Sequence, residues 1–310
     1  MRLALKELLP SRRWFQFSLR SLLLAMTLAS LPLGYIAHER QDAQRHQQIA
    51  AALETKGIWI LPGPKSRQPA MSWLLGDDTL TRGVGIDIEK RQRVLLSEQD
   101  TAFAAAQLKN FPDMLSLDFS ETRISDASLR DLQGLYKLTH LHLARTKITD
   151  AGVPAITALK QLKDLNLSGT KVTDAGVAEL QKLTELRVLG LGQLDISDST
   201  LVNLRGLSKL EDLDLGGAAI TDQGLKELRN FPKLQTLELS ATNITSSGLK
   251  ELGSLKQLRI LGLCGNQLAQ PGVTDLAQLD SLSDVYLTLS DVSEVDKAQL
   301  QRALPKARIW

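Results

Sequence analysis

The sequence predicts an α/β solenoid, a stack of short parallel strands backed by short helices, preceded by one membrane-spanning helix. Three observations predict it. First, a leucine returns every 24 residues, at Leu117, Leu141, Leu165, Leu189, Leu213, Leu237 and Leu261, and Val285 and Ile309 continue the series without insertion or deletion. A fixed period of this length marks a repeat architecture. Second, each beat lies in one pattern, L-x-x-L-x-x-L-x-L, then Ile, Val or Leu five residues on, then Thr/Ser-Asp-x-Gly and two more apolar positions three apart. Leu135-Leu138-Leu141-Leu143-Ile148-Thr149-Asp150-Gly152-Val153-Ile156-Leu159 is a clean copy. Third, the 310 residues are 43% hydrophobic but only 4% aromatic, which suits identical stacked layers better than an irregular core.

Taken in order, the chain opens with a basic tail, 1–13, and an apolar stretch, 14–37. From Ser21 to Ala37 no residue is charged. A helix of that length spans about 25 Å against roughly 30 Å of bilayer core, and Trp14 to Arg20 extend it, Arg20 by snorkelling. Arg2, Lys6, Arg12, Arg13 and Arg20 precede the run, whereas basic and acidic residues alternate after it. The positive-inside rule then holds the N-terminus in the cytoplasm and sends the repeats out. A cleaved leader is the alternative, but Tyr35 stands three residues from the end of the run, where a small residue is needed.

Residues 38–57 are polar and rich in Gln and Ala, and read as a juxtamembrane helix. Residues 58–83 form a linker and N-terminal cap. They hold a short strand at Ile58 to Leu61, a Pro-rich break from Pro62 to Pro69, and an apolar Trp73-Leu74-Leu75-Gly76 expected on the open end of the stack. The repeat domain, 84–310, begins with the alternating strand Val84, Ile86 and Ile88. A longer first step follows, with about seven extra residues near Glu89 to Gln99, after which Phe103, Ala106 and Leu108 start the helical layer.

Within a repeat, x-L-x-L alternates with period two and gives a strand with its leucines inward. Thr/Ser-Asp-x-Gly starts a helix: a side-chain oxygen caps the free amides, and the Asp charge suits that end of the dipole. Helices are wider than strands, so the stack curves with the strands on the concave side. The basic excess belongs to the first 110 residues, and the repeats are slightly acidic, so the net charge of +2 implies no polyelectrolyte partner. Cys264 is the only cysteine, which leaves no disulfide framework.

These motifs resemble the leucine-rich repeat family, in its 24-residue form ending in I-T-D-x-G-L, over residues 111–310 and more loosely 84–110. The run Arg12 to Arg20 followed by one span resembles the membrane-anchored bacterial members. The resemblance implies a right-handed horseshoe that binds a partner on its concave face, in a single-pass protein of the inner (cytoplasmic) membrane with the repeats on the extracytoplasmic side. The family places Asn three residues after the second strand leucine. Here the column reads Thr122, Thr146, Thr170, Leu194, Ala218, Thr242, Asn266 and Ser290, so different turn geometry is expected at Leu194 and Ala218.

The outward strand residues form columns because side chains two apart share a face. His140 and His142, flanked by Asp118, Asp164 and Asn166, have the ligand chemistry for Zn²⁺. His-x-His is a weak signal, and a solvated polar face is the reading the sequence favours. Asp212, Asp214 and Glu238 form an acidic patch that attracts cations or basic ligands, or simply solubilises the surface. Val188, Gly190, Gly192 and Gly216 leave a shallow dip between the patches, and Tyr286 is the aromatic of this face. Arg123, Lys147 and Lys171 stack along the strand-to-helix edge. Phosphate loops, C-x-x-C pairs and catalytic triads are missing from the sequence, and few aromatics argue against nucleic acid. The expected function is therefore non-catalytic recognition of a protein partner or cell-envelope component through Asp118, His140, His142, Asp164, Asn166, Asp212, Asp214, Glu238 and Tyr286. No catalytic residue, cofactor or metal is assigned, the membrane is contacted through residues 14–37, and no nucleic acid is bound. Envelope-polysaccharide binding is the alternative, and a metal-dependent enzyme at His140/His142 is a remote one.

Overall fold

The computed structural model describes residues 40–41, 44–55, 58–62, 83–88, 97–268 and 272–310. The chain divides into two compact units, Met1–Arg45 with Ser66–Asp78, and His46–Lys65 with Thr79–Trp310. The second holds the repeats. The expected basic tail, the span at 14–37 and Trp73 to Gly76 lie outside the described residues. Among the described residues no helix is long and apolar enough to cross a membrane.

The repeat unit is organised on one sheet of eleven strands in sequential order. β1 (Ile58–Pro62) pairs antiparallel with β2 (Gly83–Ile88), a pairing that the Pro-rich break between them hides in the sequence. The remaining strands are parallel: β3 (Ser116–Asp118), β4 (His140–His142), β5 (Asp164–Asn166), β6 (Val188–Gly190), β7 (Asp212–Asp214), β8 (Thr236–Glu238), β9 (Ile260–Gly262), β10 (Asp284–Tyr286) and β11 (Arg308–Ile309). Their register repeats the sequence period, Leu117 on Leu141, Leu141 on Leu165, and so on to Val285 on Ile309. The first step is longer, with Ile86 opposite Leu117. A one-residue slip would turn every leucine outward, so burial fixes the register.

Leu135, Leu138, Leu141, Leu143, Ile148 and Val153 are fully buried, and so are their counterparts through the repeat that runs from Phe231 to Leu249. The backing layer mixes short α-helices such as Asp174–Glu179 with 3₁₀ segments such as Ser246–Ser254. The apolar spacing, shared by all repeats, is compatible with both. Leu249, Leu252 and Leu255 recur every third residue and are all buried, and a helix with three residues per turn puts them on one line.

The Thr/Ser-Asp-x-Gly step turns out to be one device with three parts. The Thr caps its own helix, Thr149 accepting from the Ala151 N–H and Thr173 from that of Ala175. The Asp reaches across to the next repeat. Asp150 accepts from the Thr173 N–H at 2.8 Å and its hydroxyl at 2.7 Å, and Asp126, Asp198 and Asp222 do the same for Thr149, Thr221 and Thr245. The Gly makes room, because a Cβ at Gly176 would overlap the Asp150 carboxylate. Burial opposes the charge of Asp174, but hydrogen bonds from Thr200 and Ser197 outweigh it and lower its pKa. Such a carboxylate stabilises the fold above the ordinary Asp range and loses that contribution as the pH falls through the lowered value.

Two expectations need correction. Phe103 is 39% exposed, and the inward residues of helix Glu98–Gln107 are Thr101, Ala104 and Ala105, followed by Leu108. Small residues let this helix lie closer to the stack than an aromatic would. Turn geometry is also uniform at Leu194 and Ala218. The preceding residues, Gln193 (φ 57°) and Gly217 (φ 75°), sit in the same left-handed turn as Arg145 (φ 56°) and Ala241 (φ 54°). Thr146 donates to the Leu143 carbonyl within its own repeat, whereas Asn266 also bonds Thr242 and the Leu239 carbonyl of the preceding one; at Leu194 and Ala218 backbone bonding between repeats suffices. At the N-terminal end, the helix over 44–54 buries Ala50 and Leu53 in the same core, and His46 stacks on Phe111 at 4.7 Å. Residues expected beside a membrane thus join the repeat unit.

Asp150→Ala removes both acceptors of Thr173 and is expected to cost about 2–3 kcal/mol in urea unfolding, the worth of hydrogen bonds to a charged group. Asp280→Ala, on an exposed turn, is the control, and equal effects of the two would refute the crossing bond as a structural tie.

Candidate functional site

The exposed face of the sheet carries three distinct bands. In the first, the expected metal ligands do not converge. The His142 Nε2 lies 3.2 Å from Asp164 Oδ1, whereas the His140 Nδ1 lies 2.8 Å from the Thr139 hydroxyl at the strand's edge. Asp118 and Asn166 turn back to accept the backbone N–H of Ser120 and Ser168, both at 2.9 Å. Among the described residues no group of three His, Cys, Asp or Glu side chains is arranged to hold a metal ion. The zinc alternative fails on geometry, since local hydrogen bonds pull the two imidazoles and their flanking groups apart.

The second band is an open groove of about 700 Å³, lined by residues that include Asn166, Ser168, Gly192, Asp214, Gly216, Glu238 and Ser240. Asp214 accepts the Gly216 N–H at 2.9 Å and the Ser168 hydroxyl at 3.4 Å, and Ser168 in turn accepts the Gly192 N–H at 3.1 Å. The Ser240 N–H donates to Glu238 at 2.7 Å, and the Cys264 N–H donates to Ser240 at 3.0 Å. The predicted dip is real and has a purpose: a Cβ at Gly192 would stand 2.7 Å from Asp214 Oδ2, and one at Gly262 would overlap the Glu238 carboxylate. Glycines let the acids lie flat across neighbouring repeats.

These acids are held in an unfavourable state. Burial first, then the charges of Asp214 and Asp164, raise the pKa of Asp212. Burial also raises that of Asp214, against the Gly216 hydrogen bond and with the Glu238 charge. Among the described residues no Lys or Arg pairs with Asp212, Asp214 or Glu238. Elsewhere on the repeats acids are matched, Arg187 with Glu211, Arg205 with Glu227 and Lys209 with Glu185, each at 2.6 Å.

One wall of the groove escaped the sequence reading. Glu121, Arg145, Gln193 and Ala241 line it, and all four are non-glycine residues at positive φ. This conformation costs an L-residue roughly 1–2 kcal/mol. Glycines at Gly169, Gly217 and Gly265, in every second repeat, were the available signal. Arg145 lies 3.3 Å from Glu121 there. The basic column Arg123, Lys147 and Lys171 is exposed on the far side of the turn, where Lys171 bridges Thr149.

The third band is aromatic. Tyr286 and Trp310 are parallel within 8°, with ring centroids 6.1 Å apart. The buried Asp284 accepts Arg308 at 2.7 Å and the Trp310 Nε1–H at 3.4 Å, and the Arg308 guanidinium holds the Asp284 carboxyl below its ordinary pKa. Trp310 was read only as part of an edge strand, although its place one period after Tyr286 was countable.

Residues 137–156, 160–180, 206–228 and 232–253 match the family model described as Leucine Rich repeat. Two crystal structures from Listeria monocytogenes share the fold. Internalin C2 is 25% identical with a TM-score of 0.53, covering 66% of this chain and 83% of its own. An internalin (inlF) is 20% identical with a TM-score of 0.51, covering 66% of this chain and 69% of its own. No curated protein matches the sequence. Four of the repeats thus match the leucine-rich-repeat model, and the chain shares the α/β solenoid fold of these structures.

The raised pKa of Asp212 carries a sign. The folded protein holds this proton more tightly than the unfolded chain, so the contribution favours folding at low pH and is lost as pH rises from about 4 through the raised value. Asp212→Asn is expected to be more stable than the parent at pH 7, with the advantage fading toward pH 4. A pH-independent difference in urea midpoints would contradict this account.

Proposed function

We propose that this leucine-rich-repeat chain is a non-catalytic recognition protein that binds a protein partner on the exposed face of its sheet. The observation that carries the reading is the groove: carboxylates left without counter-charges among the described residues, laid flat over glycines, beside a wall of strained non-glycine residues. The turns belong to the repeat itself, whereas the uncompensated acids are a cost that a partner supplying positive charge recovers. Leucine-rich repeats of the 24-residue I-T-D-x-G-L type in a membrane-anchored bacterial protein fit the sequence pattern. Residues 14–37 then serve as a signal anchor and the repeats lie on the extracytoplasmic side of the inner membrane. The asymmetry of basic residues around that stretch supports this placement.

Photo-crosslinking residues placed at Gln193 and Ser240 in intact cells test the recognition face, with Lys160 on the opposite side as control. Discrete adducts from the first two positions and none from Lys160 are expected; adducts from Lys160 alone would overturn the assignment. A reporter fused after Trp310 that works only outside the cytoplasm should be active, and activity of a cytoplasm-dependent reporter instead would reverse the orientation.

A further inference from the structure

We infer that the notch at Gly262, between Glu238 and the Tyr286–Trp310 pair, receives a cationic side chain, arginine or lysine, from an extended segment of the partner. The inference rests on the sheet face being the recognition surface and names the chemistry of what it recognises.

The strand register builds the notch. Glu238 pairs with Gly262 and Gly262 with Tyr286, so the row reads carboxylate, glycine, aromatic ring, with the Glu238 carboxylate folded over the glycine and Trp310 one strand further on. The Glu238 carboxylate lies over Gly262, where a side chain would otherwise stand. Adjacent strands are about 4.8 Å apart, so the carboxylate and the Tyr286 ring are next neighbours across the gap. A carboxylate facing an aromatic ring offers a cation an ion pair and a quadrupole at the same point.

The aromatic pair already shows this preference. The Arg308 guanidinium stands 5.7 Å from the centre of the Trp310 ring. Its charge is answered by Asp284 at 2.7 Å, so it does not offset Glu238. Asp284 also takes the Trp310 Nε1–H, which fixes the ring before any ligand arrives. Tyr286 is 37% and Trp310 51% exposed, so the pair presents free ring surface.

Charge decides between occupants. Glu238 also lines the groove with Asp214, and Asp212 stands on the same strand as Asp214; burial disfavours the ionised form of both aspartates. A neutral glycan covering them would deepen that desolvation without a counter-charge, and an acidic segment would add repulsion. A segment with alternating basic residues reduces both costs.

Fluorescence anisotropy with the full-length chain tests this, using a labelled octapeptide of alternating Arg and Thr, the same peptide with Glu for Arg, and a labelled neutral hexasaccharide. The Arg peptide alone is expected to bind. Gly262→Ala fills the notch by displacing only the flexible end of Glu238, Tyr286→Ala removes the ring without changing charge, and Glu238→Gln removes the charge. Each should weaken binding at least fivefold. Asp131→Asn removes one negative charge from the exposed helical layer, off the sheet face, and should stay within twofold. Thermal melts confirm folding, and should Gly262→Ala not fold, the Tyr286→Ala result stands for it. Equal weakening by Glu238→Gln and Asp131→Asn with no effect of Tyr286→Ala would mean diffuse attraction and overturn the notch. Hexasaccharide binding lost in Tyr286→Ala, or no Arg-peptide binding at all, would overturn it too. In each of those cases the crosslinks from Gln193 and Ser240 decide separately whether the sheet face still recognises a protein.

Discussion

No single coil of this chain has enough interior to hold itself together, and what closes each coil is supplied by the next. Burying about six apolar side chains contributes roughly 9–18 kcal/mol, while ordering the backbone of a 24-residue repeat costs roughly 24–48 kcal/mol. The deficit is met at the joints. Leucine rows are shared across strands, and the Asp of one helix start satisfies the Thr amide and hydroxyl of the following one. Where that carboxylate needs an empty space above it, a glycine of the following repeat supplies it, as Gly176 does for Asp150. The period is therefore held to the residue by two independent devices, one apolar and one polar.

With the joints secured by buried leucines and by bonds along the helix starts, the exposed side chains of the sheet are relieved of structural duty. Charge distribution shows the division. Ion pairs such as Arg205 with Glu227 and Lys209 with Glu185 balance acids in other rows, while the sheet's own band of acids is left unanswered among the described residues and partly desolvated. The same scaffold thus presents polar imidazoles, a negative trough and a fixed aromatic end along consecutive strands, each set by one or two residues per repeat.

Much of this was legible in the sequence because period and alternation are global signals. The beat leucines, the register, the outward columns and the glycine dip could all be counted, as could the longer first step. The crossing of Asp150 to Thr173 was not, because an Asp at a helix start is equally explained by the dipole of its own helix. His140 and His142 shared a column but not a fate: a neighbouring hydroxyl captured one ring and a carboxylate the other. The inward face of the helix at Glu98–Gln107 went to Ala and Thr rather than Phe103, since distance of approach, not hydrophobicity, was limiting. The aromatic end was missed because a residue in the last strand was weighed as an edge and not as the next member of the Tyr286 column.

The left-handed turn has a consequence for change over time. Glu121, Arg145, Gln193, Ala241 and Leu289 share this backbone state, yet they differ in size and charge, and the turn's bonds to the next coil run through main-chain groups such as the Glu121 N–H to the Ala144 carbonyl at 2.7 Å. The side chain at each such corner is consequently interchangeable hardware. Substitutions there re-letter the rim of the trough one coil at a time without disturbing the leucine rows, which lets new preferences accumulate on an unaltered frame.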